Sequence, residues 1–484
     1  MVTTAPLALN WIDGQEVPAS AGRTIDKFDP ATGEVQCRLA RSGATEADAA
    51  VRAALRTQAA WAGLTVVKRG EHLRAAAKLL EVRKEEVAKL VAAETGKSPK
   101  DALGEVGAAI EMGYFIAGEG RRFYGRTTTS AVPHRMAQTM RQPIGVAGLI
   151  IAANTPIANV AWKAFPALLC GNTAVLKASE DTPRTALWFA RLLAEAGVPA
   201  GVFNVLQGLG EEAGAPLVED PRVPLISFTG SCAVGRYIQR TAGARLAKIC
   251  LELGGKNPLI VCDDADLARA AEAATLSAFS NAGQRCAAGS RIIVFQRVYE
   301  QFRDQLVERA KKLRVGPTDA DDYGPVINAR QLENMLAAVR RAVQRGARLL
   351  TGGERVGPRG YYLAPTLLEN VSPDDEISRT ELFGPIACLY RVKDFHEAVA
   401  LANDTPFGLT GAIHTRNVHR AMTFLQQLRS GVASINGPTY GSEPHMPFGG
   451  LRDSGNGFRE AGTEVLDVYS DWKTVYINFD PSGV

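Results

Sequence analysis

The sequence lacks a cysteine framework and any metal-ligand cluster. Its seven cysteines are scattered over 484 residues without a CxxC pair, and its six histidines are dispersed, with no HExxH motif. The odd cysteine count and irregular spacing argue against a disulfide scaffold and favour a reducing compartment. With no cluster of histidine and cysteine, we expect no metal site.

Secretory signals, long apolar runs and blocks of one charge are also missing. The N-terminus has no basic segment followed by an apolar one, and no apolar run approaches the roughly 18 residues that span a bilayer. The 55 basic and 51 acidic residues are mixed, for a net charge of +4, without a Lys/Arg block that would suggest nucleic acid. We therefore expect a cytoplasmic protein. Its expected partners are small molecules and copies of the same chain, with no nucleic acid or membrane.

Residues 44–125 are predicted to be mostly helical. Hydrophobic residues make up 46% of the sequence, and the length predicts about three domains. A capping-box pattern at Thr45–Asp48 opens the first of four helices predicted over residues 44–125. Residues 127–145 are rich in β-branched and turn residues, which predicts a hairpin-like excursion.

From Val146 onwards, strands and helices alternate with short connections. This pattern predicts an α/β fold with doubly wound parallel sheets. The series is interrupted just after Glu252 and resumes at Pro258. We therefore predict a dinucleotide-binding domain of residues 1–126 and 146–252 and a catalytic domain of residues 253–462. Residues 127–145 and 463–484 are predicted to form a small β element for oligomerisation.

Cys286 and Glu252 are the most informative pair of residues. Cys286 lies in GQRC at 283–286, and Glu252 lies in LELGGK at 251–256. A thiolate attacks carbonyl carbon well, and a carboxylate can activate water or help to deprotonate the thiol. The glycines of both motifs allow close backbone packing. On residue type alone, however, a lone intracellular cysteine is more often a buried apolar filler.

Other segments contain residues suited to a dinucleotide. The stretch from Gly208 to Gly214, which includes Gly210, misses the GxGxxG spacing by one residue and reads equally well as a Gly-rich turn. Phe228, Gly230 and Ser231 belong to FTGS, which ends a strand and opens a helix whose N–H groups favour a phosphate.

Lys177 and Glu180 bear on the choice of cofactor. Lys177 ends a buried strand within reach of ribose or phosphate, or is a snorkelling surface lysine. A carboxylate at Glu180 would accept from ribose hydroxyls and repel a 2′-phosphate, which favours NAD over NADP. Lys177 and Ser179 would partly offset this repulsion. Glu180 reads alternatively as a helix-start residue.

Taken together, these motifs make the chain resemble the aldehyde dehydrogenase superfamily from about residue 10 to about residue 478. The matching segments, in order, are Asn154 with Trp162–Lys163, GNTAVLKASE at 171–180, FTGS, LELGGK, GQRC, ELFGP at 381–385, PFGG at 447–450 and SGNG at 454–457. The resemblance implies NAD(P)-dependent oxidation of an aldehyde to a carboxylic acid.

The resemblance also implies roles for the catalytic residues. Cys286 would attack the aldehyde to give a thiohemiacetal, and Asn154 would stabilise the oxyanion, an interaction typically worth roughly 3–4 kcal/mol per donor. After hydride transfer Glu252 would activate the water that hydrolyses the thioester. Because relatives that transfer the acyl group to coenzyme A tend to lack this glutamate, hydrolysis is favoured. Lys163 would support the oxyanion region.

The implied cofactor site draws on several segments. Glu381 would hold the nicotinamide ribose beside Phe383, Lys177 and Glu180 the adenosine ribose, and Ser231 the pyrophosphate. The predicted site is completed by Ile150, Ile151, Ser179, Gly210, Phe228, Gly230, Val234 and Leu253.

The substrate tunnel is predicted around Trp162, Arg285, Tyr440, His445 and Phe448. Asn154 lacks the aromatic neighbours usual in the family, and Phe458 is an extra residue, so we expect a re-shaped tunnel. Arg285, directly before the nucleophile, either pairs with an anionic substrate tail or bonds carbonyls of its own loop. The C-terminal segment is similar to members that act on semialdehydes, including 2-oxoglutarate semialdehyde.

The strand-like tail at 473–478 and the excursion at 127–145 resemble the family's oligomerisation element, which predicts a homodimer or homotetramer. Two alternatives remain at this point. One is a thiol esterase or amidase that uses Cys286 and Glu252 without a cofactor, and the other is a catalytically retired structural or binding protein.

Overall fold

The structure, a computed structural model, describes residues 5–483. The strands, in chain order, are β1 (Leu7–Ala8), β2 (Asn10–Ile12), β3 (Gln15–Val17), β4 (Thr24–Phe28), β5 (Val35–Ala40), β6 (Thr127–Thr128), β7 (Arg135–Pro143), β8 (Val146–Ile150), β9 (Thr173–Lys177), β10 (Phe203–Leu206), β11 (Leu225–Thr229), β12 (Lys248–Glu252), β13 (Asn257–Val261), β14 (Gly289–Phe295), β15 (Arg348–Thr351), β16 (Thr366–Glu369), β17 (Ile386–Val392), β18 (Thr410–His414), β19 (Val432–Ile435) and β20 (Ser470–Asn478).

The α-helices separate these strands. They are α1 (Ala44–Gly63), α2 (Val66–Val82), α3 (Lys84–Thr95), α4 (Pro99–Glu119), α5 (Pro156–Leu169), α6 (Pro183–Glu195), α7 (Ala215–Glu219), α8 (Cys232–Ala244), α9 (Leu267–Phe279), α10 (Tyr299–Lys312), α11 (Ala329–Gln344), α12 (Glu376–Arg379), α13 (Phe395–Asn403), α14 (Val418–Gln427) and α15 (Val465–Tyr469).

Two large, mostly parallel sheets organise the chain. The first has the order β12-β11-β8-β9-β10-β2-β3, in which β8 to β12 are parallel. Helices cover both faces of this sheet. On β9, Ala174 and Leu176 belong to the hydrophobic core formed with α2 to α6, and Val175 between them belongs to the core formed with α1, α7 and α8. This alternation explains the continuous apolar strands. The predicted α/β class is confirmed.

The second large sheet has the order β15-β16-β17-β14-β13-β18-β19, with only β15 antiparallel. The predicted break lies between β12, which ends the first sheet at Glu252, and β13, which belongs to the second. The division of the chain into domains stays a prediction. A small sheet, β1-β5-β4, precedes α1.

The excursion at 127–145 forms a hairpin of β6 and β7, as predicted. The long tail strand β20 pairs with β7 along its whole length, from Ser470 opposite Pro143 to Asn478 opposite Arg135. Trp472, Tyr476 and Ile477 on β20 and Met136 and Met140 on β7 are between 44% and 60% exposed. The register places Met136, Met140 and Ile477 on one face of this sheet and Trp472 and Tyr476 on the other, so both faces carry exposed apolar side chains.

The start of α1 corrects one prediction. The helix begins at Ala44 with Gly43 as its N-cap, so Thr45 does not cap it. Glu46 Oε2 accepts the Gly43 N–H at 2.7 Å, and Glu46 Oε1 accepts the Ser20 N–H at 2.8 Å. The glutamate side of a capping box is thus present. Its position was misread by two residues, because glycine also serves as an N-cap.

Candidate active site

The loop that carries Cys286 is shaped by a left-handed turn. After α9, Asn281, Ala282 and Gly283 have φ values of 53°, 54° and 65°. A Cβ on Gly283 would lie 2.2 Å from the carbonyl oxygen of Gly384, so only glycine fits there. The turn places the nucleophile loop directly against the ELFGP segment, which contains Glu381.

A buried amide fixes the backbone on the other side of Cys286. Asn257 Nδ2 donates to the carbonyl oxygens of Cys286 and Ala288, at 2.8 and 2.9 Å, and Asn257 Oδ1 accepts the Thr410 N–H at 3.0 Å. A Cβ on Gly255 would lie 2.4 Å from the Cys286 carbonyl oxygen. The LELGGK and GQRC motifs are therefore in direct contact. The sequence analysis missed Asn257, which immediately follows LELGGK.

Cys286 is partly accessible, yet its thiol lies in a weakly solvated pocket. Burial, followed by the negative charges of Glu381 and Glu252, raises the pKa of Cys286 to about 12. The N–H of Ala287 opposes this shift. At neutral pH the resting side chain is a thiol, so attack on a carbonyl requires a base that removes its proton.

Glu252 ends β12 and is 4% exposed. Neither of its carboxylate oxygens has a hydrogen-bond partner among residues 5–483. Burial and the nearby Glu460 raise the pKa of Glu252 well above its usual range, whereas Lys163 and Arg459 oppose the shift. A Cβ on Gly449 would approach Glu252 Oε1 to 2.7 Å, so this glycine leaves room for the carboxyl group. An unbound carboxylate with a raised pKa is a stronger base than an ordinary one and can accept a proton.

Lys163 belongs to a buried polar cluster. Its side chain is fully buried, forms an ion pair with Glu460 and donates to Ser227 Oγ at 3.0 Å. Tyr469 donates its hydroxyl to the same Ser227 Oγ at 3.0 Å. The charges of this cluster act on Glu252, and the support of the oxyanion region by Lys163 stays a prediction. The sequence analysis missed Glu460, whose only signal was its place after the extra residue Phe458.

Asn154 is anchored from two directions. Its Nδ2 donates to the carbonyl oxygen of Gln284 at 3.1 Å, and its own carbonyl accepts from Lys97 Nζ at 2.7 Å. Lys97 forms a buried ion pair with Glu105. Glu105 Oε1 in turn accepts the N–H groups of Ile157 and Ala158 at the start of α5, at 2.9 and 3.3 Å. The sequence analysis missed Lys97 and Glu105, which hold the Asn154 loop against the Cys286 loop.

The parallel strands of the first sheet end together at one edge. Their register places Ile150 opposite Lys177 and Thr229 opposite Glu252. The crevice outside such carboxyl ends is the usual ligand site of doubly wound sheets. Ser231 is the N-cap of α8, and its Oγ accepts the Val234 N–H at 3.4 Å. The helix start therefore presents N–H groups toward this crevice.

At one end of the crevice, Lys177 Nζ donates to Glu180 Oε2 at 3.0 Å. Although burial raises it, the pKa of Glu180 is held below its usual value by the charge of Lys177. Ser179 Oγ accepts the Asp181 N–H at 3.3 Å. Gly210 does not form a Rossmann-type turn, because it opens a π-helical segment, Gly210–Gly214.

Glu381 lies at the other end, near Cys286. Its Oε1 accepts the Gly255 N–H at 2.9 Å, and a Cβ on Gly254 would lie 2.1 Å from its Oε2. Burial raises the pKa of Glu381 to about 7, against the opposing effects of the Gly255 N–H and Lys256. Phe383, two residues later, has a φ of 58°, which is rare for a bulky residue and often marks a functional site.

Two glycines at this edge of the sheet pack tightly against neighbouring apolar side chains. A Cβ on Gly230 would meet the Phe228 ring at 2.5 Å, and one on Gly235 would meet Leu253 at 2.6 Å. Thr229 Oγ1 is buried without a partner in the part of the chain that the structure describes. Ile151 continues the strand end, with its N–H 3.5 Å from the Lys177 carbonyl oxygen. An ion pair, a helix start and a buried glutamate at this edge of the sheet are groups that fit NAD(P).

The predicted tunnel residues fall into two contacting pairs and one outlier. Trp162 and Phe448 stack edge to face with ring centroids 6.2 Å apart. The Arg285 guanidinium lies over the Tyr440 ring at 4.8 Å, and its Nη2 donates to Asp101 Oδ1 at 3.1 Å. Arg285 thus pairs with a carboxylate, not with loop carbonyls. His445 is mostly exposed, 3.8 Å from Glu443, and contacts neither pair.

Two further surveys of residues 5–483 bear on the site. No group of three or more His, Cys, Asp or Glu side chains is placed to hold a metal ion. No helix is long and apolar enough to cross a membrane.

Comparison with known proteins identifies the relatives of this chain. The model of the family described as "Aldehyde dehydrogenase family" matches residues 17–475. An alpha-ketoglutaric semialdehyde dehydrogenase of Bacillus subtilis (strain 168) is 38% identical over 484 residues, which cover 99% of each chain.

Solved structures give the same result. An Escherichia coli NADP-dependent enzyme superimposes with a TM-score of 0.95 at 36% identity, with 98% of each chain covered. A point mutant of betaine aldehyde dehydrogenase from Staphylococcus aureus, in complex with NAD+, superimposes with a TM-score of 0.95 at 32% identity and also covers 98% of each chain.

Proposed function

This chain belongs to the aldehyde dehydrogenase family and oxidises an aldehyde with NAD(P), and we propose that Cys286 is its nucleophile, Glu252 its general base and Asn154 its oxyanion donor. The observation that carries this proposal is the contact between the Gly255 and Cys286 backbones, which brings LELGGK and GQRC together. A cofactor-independent esterase and a retired structural protein have no support.

In the first half of the reaction, Cys286 loses its proton and attacks the aldehyde carbon to form a thiohemiacetal. Because the thiol pKa is about 12, the proton must pass to a base, and Glu252 is the nearby unbound carboxyl group. Asn154 has two amide hydrogens, of which one is held by the Gln284 carbonyl. The other is free to stabilise the oxyanion together with the Cys286 N–H.

Bound NAD(P) supplies the hydride acceptor. Lys177, Glu180, Ser231 and Glu381 would hold it along the crevice. Once the thiohemiacetal oxyanion has lost its C–H hydrogen as a hydride to this acceptor, the acyl group remains on Cys286 as a thioester. Glu252 first releases the proton of Cys286 to solvent and then takes a proton from water. The resulting hydroxide attacks the thioester carbon, the C–S bond breaks, and the acid leaves with Cys286 restored as a thiolate. A raised pKa makes Glu252 a stronger base for this step.

We propose an aldehyde with a carboxylate at its far end as the substrate. Arg285 directly precedes the nucleophile, and Arg285 Nε and Trp162 Nε1 are both buried without a partner among the described residues. Such donors favour a substrate that carries hydrogen-bond acceptors. The Bacillus subtilis relative, an alpha-ketoglutaric semialdehyde dehydrogenase, is consistent with this class.

The test follows reduced-nicotinamide absorbance with a panel of aliphatic, aromatic and carboxylated aldehydes, with Cys286→Ala as the control. We expect turnover that Cys286→Ala abolishes and that is fastest with a carboxylated aldehyde. Turnover that survives in Cys286→Ala would contradict the assignment of the nucleophile.

We propose NAD as the preferred cofactor, with NADP accepted. Glu180 is ion-paired with Lys177 and has a lowered pKa, so it is negatively charged where a 2′-phosphate would lie. Glu180→Gln should narrow the ratio of kcat/KM for NAD to that for NADP. An unchanged ratio would rule out Glu180 as the discriminating residue.

We also propose that the protein is a cytoplasmic homodimer or homotetramer. Met136, Met140 and Ile477 share one face of the β7–β20 sheet and are each about half exposed, and a second copy would cover them. Light scattering after gel filtration measures the mass directly. A monomer would contradict this proposal.

A further inference from the structure

Arg285 forms an ion pair with Asp101, which occupies part of its guanidinium. Its Nη2 donates to Asp101 Oδ1 at 3.1 Å, and the two side chains are only 25% and 20% exposed. Asp101 lies in the first turn of α4, 184 residues away along the sequence. The Tyr440 ring under the guanidinium, at 4.8 Å, restricts its movement further.

The ion pair with Asp101 limits how strongly Arg285 can bind the carboxylate of a substrate. A guanidinium already paired with a carboxylate has little net charge to offer a second one. At the same time Arg285 Nε has no hydrogen-bond partner within residues 5–483, so one N–H donor of the guanidinium remains unpaired. A substrate carboxylate that enters must therefore share Arg285 with Asp101 or displace Asp101 from it.

We propose that Asp101 is a specificity-determining residue that competes with the substrate carboxylate for Arg285. This inference rests on the proposed function, in which Arg285 faces a carboxylated aldehyde. Asp101 lowers the affinity for carboxylated aldehydes and so narrows their advantage over neutral aldehydes of the same length. Because the pair forms before any chemistry, its effect lies in substrate binding and therefore in KM.

Asp101 also has a local structural role, which the test must separate. The Asp101 N–H donates to Ser98 Oγ at 3.2 Å, the Ser98 hydroxyl donates to Asp101 Oδ2 at 3.2 Å, and Ser98 is the N-cap of α4. Asp101→Asn preserves the backbone bond and keeps a side-chain oxygen that can accept from Ser98, while it removes the charge. Asp101→Ser is a second variant of different size with the same loss of charge.

The experiment compares succinate semialdehyde with butanal, which have the same chain length and differ by the terminal carboxylate. For Asp101→Asn we expect the ratio of kcat/KM for the two substrates to rise by about tenfold, equivalent to ~1.4 kcal/mol, mainly through KM for the semialdehyde. Glu111→Gln is the matched control, because it removes an exposed negative charge from the same helix. It should leave the ratio unchanged.

Arg285→Ala and the double variant with Asp101→Asn distinguish the possible failures. If Arg285→Ala leaves the ratio unchanged, the proposed use of Arg285 is wrong. If Arg285→Ala lowers the ratio but Asp101→Asn and Asp101→Ser do not raise it, the competition is overturned while the proposed function stands. A rise that persists in the double variant overturns it as well, because Asp101 would then act without Arg285.

Discussion

Two buried glutamates flank Cys286, and they differ in what surrounds them. Glu381 comes from the second sheet region and is bound by the Gly255 N–H, whereas Glu252 ends the first sheet and has no hydrogen-bond partner within the described chain. Burial raises both pKa values. A single backbone N–H therefore separates a carboxylate that is held in place from one that is free to titrate and move. Residue type alone does not assign the two roles.

The largest effect should come from Glu252→Gln. A glutamine can accept a proton neither from Cys286 nor from water, so we expect steady-state turnover to fall about 10²–10³-fold and the burst of one NADH per site to slow. Stopped-flow absorbance measures both phases. A burst as rapid as that of the wild type would show that another base deprotonates Cys286.

Glu381→Gln tests the role of the second glutamate, which is held by the Gly255 N–H. The glutamine can still accept the Gly255 N–H but loses the charge that would hold a ribose. We therefore expect kcat/KM for the cofactor to fall roughly tenfold or more, because a hydrogen bond to a charged group contributes ~1.5–3 kcal/mol. Steady-state kinetics at varied NAD measure this. The exposed Glu354→Gln in the same region of the chain is the control and should have no effect.

The cluster behind Glu252 allows its pKa to be moved in both directions. Glu460 raises the pKa of Glu252 and Lys163 lowers it. Glu460→Gln should therefore shift the acid limb of the kcat–pH profile to lower pH, and Lys163→Met should shift it to higher pH, each by about one unit. Shifts in the same direction would show that these substitutions act by disrupting the fold around Ser227.

These contacts also mark the limit of what the sequence could predict. The glycine-rich motifs and the strand ends predicted the meeting of Glu252 and Cys286, because local patterns specify where strands stop and where backbones pack closely. The sequence could not pair Lys163 with Glu460 or Asp101 with Arg285, which lie 297 and 184 residues apart. Such pairs depend on packing between distant elements, and for this reason the ion pair of Lys163 was not predicted.

The same reason explains what was missed around Asn154. Its position is set by Lys97 and Glu105, two charged residues in a predicted helical region that ordinarily read as solvated surface. Only the packing of α4 against α5 shows that they are buried and bound to the Asn154 loop. The strands β16 and β17 were also not predicted from the sequence.

The smallest expected effect is a pH-dependent change in thermal stability when Glu381 is replaced by the neutral glutamine. The pKa of Glu381 is about 7 in the folded chain and 4.5 in its ordinary state. Because the folded value is the higher one, this group's contribution to stability is fully present below pH 4.5 and is lost as the pH rises through 7.

Glu381→Gln should therefore gain Tm relative to the wild type between pH 5 and pH 8, by roughly 2 °C or less per kcal/mol in a chain of this size. Thermal unfolding of both proteins at the two pH values measures the difference. A gain that is equal at both would mean that Glu381 is already ionised at pH 5, and that the Gly255 N–H outweighs burial.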